Sequence, residues 1–152
     1  MRRAFVVVPV FALSFVLSSS FTAVAQLRAP VQWAQAQSSD AINDQGDNAY
    51  DRKDYTEAMR LYRQAAAMGN ATAEANVGFL YAKGYGVQQD YAQSVHWYLM
   101  AAEKGQREAQ HNLALKYWNG QGVAKDPTQA RYWMQKSAAA GDTEAQTSLT
   151  EH

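Results

Sequence analysis

The sequence predicts an all-α fold, a short α-solenoid of about three helix-turn-helix repeats that ends in a short C-terminal capping helix. The main observation is an internal period of 36 residues, and it is carried by Gly69, Gly105 and Gly141, by Ala66, Ala102 and Ala138, and by Asp54, Asp90 and Asp126. A second observation is that each unit holds two apolar stretches with helical spacing, separated by a break in the pattern. One helix pair cannot bury its apolar face alone, whereas stacked pairs bury a continuous core.

The middle unit shows the two helices most clearly. Ala73, Val77, Leu80 and Tyr81 follow the i, i+4, i+7, i+8 spacing of an amphipathic helix. A glycine-containing break over residues 84–89 ends this helix. Asp90, with Gln93 three residues later, then predicts a capping box that opens the second helix. Gly105 ends the second helix, as glycine does where the backbone turns left-handed.

The flanking units repeat this pattern. Asp54 with Glu57 predicts a capping box in the first unit. Asp126 is followed by Pro127, which suits the first position of a helix because the missing N–H would be unpaired there. Asp142 is expected to cap the last helix, from Thr143 to about Thr150, which offers Ala145 and Leu149 to the preceding pair.

Residues 1–25 are typical of a secretory signal peptide. Two arginines follow Met1, an uncharged apolar run continues to Leu17, and a small-residue site ends at Ala25. A retained membrane anchor is the alternative, but the run is shorter than the roughly 20 residues that a bilayer span needs. We therefore expect cleavage after Ala25, no stable membrane insertion afterwards, and a periplasmic or secreted product.

Residues 26–39 are predicted to form a flexible tether, because glutamine, alanine and serine dominate and Pro30 discourages a packed element. Trp33 in this tether either packs against the first helix or docks to a partner. Residues 40–152 form the predicted repeat domain, with units at about 40–72, 73–108 and 109–150.

Composition excludes several function classes. Lys+Arg and Asp+Glu number 14 each, so the sequence has no excess of positive charge that would favour nucleic-acid binding. Cysteine is absent, which excludes disulfides, zinc–thiolate sites, thiol nucleophiles and a lipid-modified cysteine.

No motif for catalysis, a cofactor or a metal stands out. His96, His111 and His152 are not spaced as a helical metal pair, and we expect all three at the surface. The Gly84-x-Gly86 and Gly120-x-Gly122 pairs lack the third glycine and preceding strand of a dinucleotide fingerprint. The sequence therefore predicts a non-enzymatic protein without a cofactor.

The chain resembles the Sel-1-like repeat family, a relative of the tetratricopeptide repeat. The resemblance is carried in one copy by Ala73, Val77-Gly78, Tyr81, Gly84-Tyr85-Gly86-Val87, Asp90, Trp97, Ala101-Ala102 and Gly105, and in the next by Ala109, Leu113-Ala114, Tyr117, Gly120-Gln121-Gly122-Val123, Asp126, Trp133, Ala138 and Gly141. It implies an α-solenoid that acts as an adaptor for proteins or peptides, and bacterial members that are exported. Cysteine-rich relatives linked to β-lactam binding carry paired cysteines, and this chain has none.

In a tetratricopeptide-like stack the first helix of each pair lines the concave face. Alignment of the two full units places Ala75, Ala82 and the candidate partner-binding residues at exposed positions of those helices. The candidates are Phe79, Lys83, His111, Leu115, Trp118 and Asn119. Exposed apolar groups mark interaction sites, although Phe79, Leu115 and Trp118 are also suited to packing between units. Asn76 and Asn112 recur at one position and are suited either to fixing a peptide backbone or to bracing the next unit.

The sequence therefore predicts an exported scaffold that holds a protein or peptide in a concave groove, with a regulatory role in envelope or cell-wall processes as one form of this function. Two alternatives stay open. One is an enzyme acting on cell-wall material, and the other is a structural subunit of a larger envelope complex, including self-association.

Overall fold

Residues 37–150 are the part of the chain that the computed structural model describes. Within this range the chain forms seven α-helices and no strand, which confirms the all-α prediction. The helices are α1 Ser39–Asp51, α2 Tyr55–Ala67, α3 Ala71–Lys83, α4 Tyr91–Glu103, α5 Arg107–Asn119, α6 Pro127–Ala139 and α7 Thr143–Thr150. None of these seven is both long and apolar enough to cross a bilayer. The predicted signal peptide, Trp33 and most of the predicted tether lie outside the described residues.

The helices form three pairs, α1–α2, α3–α4 and α5–α6, and α7 packs against α6 at the end of the array. Each helix makes its main contacts with the helices directly before and after it in the chain, as expected for a repeat protein. The first helix begins within the last residues of the predicted tether. Ser38 caps it, because its hydroxyl oxygen accepts a hydrogen bond from the Ala41 N–H at 3.1 Å.

The predicted aspartate caps are present. Asp54 and Asp90 accept hydrogen bonds from the N–H groups three residues later at 3.2 and 3.0 Å, and Asp126 caps α6 in the same way at 3.0 Å. The prediction of a full capping box was wrong. The N–H groups of Asp54 and Asp90 donate instead to carbonyl oxygens of the preceding helix, those of Ala49 at 2.9 Å and Tyr81 at 3.0 Å. The cap residues therefore tie the two helices of a pair together through the backbone.

The glycine loops between the helices of the second and third pairs touch the preceding pair. Gly86 has φ +69°, and a Cβ placed there would lie 2.5 Å from the carbonyl oxygen of Tyr55 at the start of α2. Gly122 has φ +78°, and its Cβ would lie 2.1 Å from the carbonyl oxygen of Tyr91 at the start of α4. No side chain fits at either contact, so the repeated glycine is required by the way one pair stacks on the previous one.

At two places in the core a glycine lies against a large buried ring. Gly46 faces the ring of Tyr62, and a Cβ at Gly46 would lie 2.5 Å from that ring. Gly78 faces Tyr98 in the same way, and a Cβ at Gly78 would lie 3.0 Å from the Tyr98 ring. Both tyrosines are almost fully buried, at 3 % and 2 % exposed. The absence of a side chain at each glycine lets two helices approach closely around a buried ring.

Candidate partner-binding surface

Five of the six candidate residues occupy three separate places on the array. Leu115 and Trp118 lie together in an apolar groove, Phe79 and Lys83 lie together beside a second cleft, and His111 belongs to a polar contact. Asn119 is exposed at the last position of α5. Alignment of the repeats therefore found three local surfaces and did not predict that they are separate.

The α5–α7 groove is mostly apolar and carries Leu115 and Trp118. It has a cavity volume of about 300 Å³, and its walls come from α5, α6 and α7. The lining residues are Ala114, Leu115, Trp118, Ala130, Arg131, Met134, Gln135, Ser148 and Leu149. Leu115 and Trp118 are 39 % and 42 % exposed, so a large part of their apolar surface faces solvent. A partner that covers these two side chains would gain the free energy of apolar burial.

The α1–α3 cleft lies between the first helices of the first two pairs, with a cavity volume of about 360 Å³. Its lining consists of Asp47, Tyr50 and Asp51 from α1, Tyr62 from α2, and Asn76 and Phe79 from α3. The rings of Tyr50 and Phe79 meet edge to face with their centroids 6.1 Å apart. Burial raises the pKa of the Tyr50 hydroxyl, and the adjacent Tyr55, Tyr85 and Asp51 raise it further. Tyr50 is therefore neutral at physiological pH.

Phe79 both packs in the core and lines the cleft. It is half-buried and contacts both hydrophobic clusters of the array. Its ring also meets that of Tyr85 edge to face at 6.3 Å, and the Lys83 ammonium lies 5.7 Å from the Phe79 ring centroid. Packing between units, one of the two roles that the sequence left open for Phe79, is therefore present, and the residue also lines the cleft, whereas Leu115 and Trp118 are more exposed.

Asn76 braces its neighbours. Its side-chain amide donates to Asn43 Oδ1 on α1 at 3.1 Å and approaches Asp47 Oδ1 at 3.5 Å. Of the two roles suggested for this position, the structure therefore shows bracing for Asn76, but the prediction that it braces the next unit was wrong, because the contact is with the preceding pair.

Two positions expected at the surface lie deeper. Ala75 is only 6 % exposed, because it packs in the cluster that holds Tyr98 and Leu113. His111, 36 residues later, has a side chain 14 % exposed, and its Nδ1 lies 2.7 Å from Asp142 Oδ2. The expectation that His111 is a freely exposed residue was therefore wrong. This face of the helix meets the next unit instead of solvent.

Asp142 is held by several donors at the start of α7. Its Oδ2 accepts the Ser137 hydroxyl proton at 2.6 Å, and its Oδ1 accepts the Ala145 N–H at 3.1 Å. Partial burial alone would raise the pKa of this carboxyl. The hydrogen bonds from Ser137, Ala145 and His111 outweigh that effect and lower the pKa to about 2. Asp142 thus links α5, α6 and α7 as a structural cap.

A family model described as Sel1 repeat matches residues 35–70, 71–106 and 107–142, so each match covers one helix pair. Together the three matches cover more than half of the chain. The chain belongs to the Sel1 repeat family. No curated protein matches this Sel1 repeat chain at a significant level.

Solved structures show the same fold. The chain is similar to a Sel1 repeat protein from Oxalobacter formigenes, with a TM-score of 0.68 and 34 % identity over 70 % of this chain and 44 % of that one. It is also similar to c5321, a protective antigen present in uropathogenic Escherichia coli strains that displays an SLR fold, with a TM-score of 0.74 and 36 % identity over 84 % of this chain and 28 % of that one. This chain thus spans less than half the length of these two proteins.

A more distant likeness concerns the fold alone. Helicobacter pylori cysteine rich protein B matches with a TM-score of 0.57 and 21 % identity over 59 % of this chain and 67 % of that one.

Sequence reasoning missed the contribution of α1 to the surface of this Sel1 repeat chain. The helices α1, α3 and α5 each have 13 residues, offset by 32 residues between α1 and α3 and by 36 between α3 and α5. Three positions near the end of each helix therefore correspond, and we call them the last-turn positions. They are Asp47, Tyr50 and Asp51 in α1, Phe79, Ala82 and Lys83 in α3, and Leu115, Trp118 and Asn119 in α5. The spacing of 32 residues from Gly46 to Gly78 is the sequence signal for this alignment.

Proposed function

We propose that this protein is an exported interaction scaffold that binds a segment of a protein or peptide partner at the last-turn positions of α1, α3 and α5. The proposal assigns it no catalytic role and no cofactor. Membership of the Sel1 repeat family supports it, because stacked helix pairs present extended surfaces for binding. A regulatory role in envelope or cell-wall processes is part of the same proposal.

The exposure of Leu115 and Trp118 in the α5–α7 groove carries the proposal. Tryptophan is among the residues that most often dominate binding energy when a partner covers it. The groove is a concave, mostly apolar site, and Arg131 and Gln135 at its border provide polar contacts for orientation.

The test compares two double variants of the purified protein. Leu115→Ala/Trp118→Ala removes the apolar side chains of the groove. Met68→Ala/Tyr132→Ala is the control, because it removes two other large exposed apolar residues that do not line the groove. A photo-cross-linking amino acid at position 119, beside the groove, identifies the partner in the native envelope, and calorimetry with that partner gives the affinity.

We expect the groove variant to lose roughly 30-fold or more in affinity, because the loss of even one hot-spot side chain costs about 2 kcal/mol. The control should bind like the wild type, and both variants should keep their helical circular dichroism. Equal affinity of the two variants would contradict binding in the groove.

Export is proposed from the signal-peptide pattern of residues 1–25. Mass spectrometry of the protein from the producing cell should find an amino terminus at Gln26. An intact Met1 on a cytoplasmic product would contradict export.

A further inference from the structure

The α1–α3 cleft combines aromatic walls with acidic side chains. Tyr50 and Phe79 supply ring surfaces, while Asp47 and Asp51 place carboxylates at the same opening. Both aspartates are exposed. The α5–α7 groove differs in this respect, because no acidic side chain of the described residues lines it. The two clefts therefore favour different side chains of a partner.

Asp47 is positioned by neutral groups. It accepts hydrogen bonds from the Tyr62 hydroxyl at 2.7 Å and from the Asn43 amide at 3.2 Å, and the Asn76 amide approaches at 3.5 Å. These donors hold the carboxylate in one orientation and leave its charge in place.

The acidic charge of α1 is not neutralised within the described part of the chain. The helix carries Asp40, Asp44, Asp47 and Asp51 and no basic residue. Among residues 37–150 none of these four aspartates forms a salt bridge. Arg52 and Lys53 follow the helix but do not line the cleft. A positively charged partner group would therefore meet unpaired carboxylates there.

The aromatic part of the cleft already attracts one cation of the chain. The Lys83 ammonium lies 5.7 Å from the centroid of the Phe79 ring, within the range of a cation–π contact. The Tyr50 ring meets the Phe79 ring edge to face, and the ring centroids of Tyr50 and Tyr55 are 5.3 Å apart. Ring faces together with carboxylates are the groups that stabilise a guanidinium or ammonium ion.

We infer that the α1–α3 cleft receives an arginine or lysine side chain of the partner segment whose apolar residues cover the α5–α7 groove. This inference rests on the proposed function and adds the chemistry of the partner. It follows from charge complementarity, because the walls accept the alkyl stem of a basic side chain and the carboxylates accept its charged end.

The test uses a pair of small probes that differ only in charge. Blocked arginine (N-acetyl-arginine amide) carries the guanidinium, and blocked citrulline has nearly the same shape without charge. Each is titrated into the isotope-labelled protein, and amide chemical shifts are followed by nuclear magnetic resonance. We expect saturable shifts at residues 47–51 and 79 with blocked arginine, and binding roughly tenfold weaker with blocked citrulline.

Two protein variants with the same change of charge locate the effect. Asp47→Asn/Asp51→Asn alters the cleft, whereas Asp40→Asn/Asp44→Asn alters two carboxylates of α1 that do not line it. We expect the first to weaken blocked-arginine binding about fivefold to tenfold and the second less than about twofold. Circular dichroism should show both to be folded.

The possible results separate the inference from the proposed function. The inference is overturned if blocked arginine and blocked citrulline bind equally well. It is also overturned if the two variants lose the same affinity for blocked arginine, or if the chemical shifts arise from self-association without the probe. If the cross-linked partner needs Leu115 and Trp118 but is insensitive to Asp47→Asn/Asp51→Asn, the scaffold function stands and the inference fails. If the partner needs neither pair, the proposed function itself fails.

Discussion

Replacement of the loop glycines by alanine tests how the helix pairs stack. At Gly122 the added Cβ would lie 2.1 Å from the Tyr91 carbonyl oxygen, and at Gly86 it would lie 2.5 Å from that of Tyr55. Real Cβ atoms do not approach backbone this closely, so the loop must move away from the preceding pair. Gly105 is the matched control, because it has φ +88° but no atom within 4 Å of an added Cβ.

The magnitude follows from two separate costs. A positive φ costs a residue with a Cβ about 1–2 kcal/mol, and all three variants incur this cost. Overpacking against an immobile neighbour adds typically about 1–3 kcal/mol, which only Gly86→Ala and Gly122→Ala incur. We therefore expect Gly122→Ala to lower the free energy of unfolding by about 2–5 kcal/mol and Gly105→Ala by about 1–2 kcal/mol.

Urea unfolding, followed by circular dichroism at the helical band, measures the loss of unfolding free energy in both variants. With a slope of about 1–2 kcal/mol per molar urea, the difference of about 1–3 kcal/mol between the two variants amounts to about 0.5–3 M in the unfolding midpoint. Equal midpoints for Gly122→Ala and Gly105→Ala would refute the reasoning, because the close contact would then contribute nothing beyond the backbone conformation.

Two further predictions concern buried charges. Because the pKa of Asp142 is lowered to about 2, this carboxylate stabilises the fold above its ordinary pKa near 4, and the effect is lost as pH falls towards 2. In urea unfolding, the free energy of unfolding of the wild type should exceed that of Asp142→Asn by about 1–2 kcal/mol at pH 7, and the difference should be close to zero at pH 2. A difference that does not change with pH would contradict this prediction. Glu74 is 1 % exposed and pairs with Lys104 at 2.6 Å. Lys104→Met should therefore lower the free energy of unfolding by about 1–3 kcal/mol, because it leaves a buried carboxylate unpaired. Glu74→Gln/Lys104→Met should restore most of the lost stability in thermal unfolding. Equal melting temperatures of the two variants would argue against a contribution of the ion pair.

The helices were predictable because a repeated stack imposes a repeated sequence. Backbone contacts that recur from unit to unit account for the 36-residue period, for the aspartate caps and for the glycines at helix C-termini. The period fails at α1 because the loop from α1 to α2 has three residues, whereas the loop from α3 to α4 has seven. The first pair has no described predecessor for a Gly86-like loop to touch.

The candidate surface was predictable only in part. Leu115 and Trp118 were found because large apolar residues at solvent-facing positions are unusual in a short amphipathic helix. Met134 and Leu149 were missed, because they come from α6 and α7 and join the groove only through the packing of three helices. Burial of His111 was missed for the same reason, since its partner Asp142 comes from the segment before α7.

The repeats themselves separate stacking positions from binding positions. At several contacts between one pair and the next, the second and third units carry the same residue, as at Gly86 and Gly122 or at Ala73 and Ala109, because the same atoms meet in the same geometry. At the last-turn positions the units differ, from acidic and aromatic in α1 to apolar in α5. Leu115, Trp118, Asp47 and Asp51 are exposed, so the stacking of one pair on the next constrains them less, and under the proposed function their residues are set by what they bind. Because Tyr50 and Phe79 also pack against the hydrophobic core, Leu115, Trp118, Asp47 and Asp51 are the last-turn positions at which the proposed binding is best tested while the stack of helix pairs is kept.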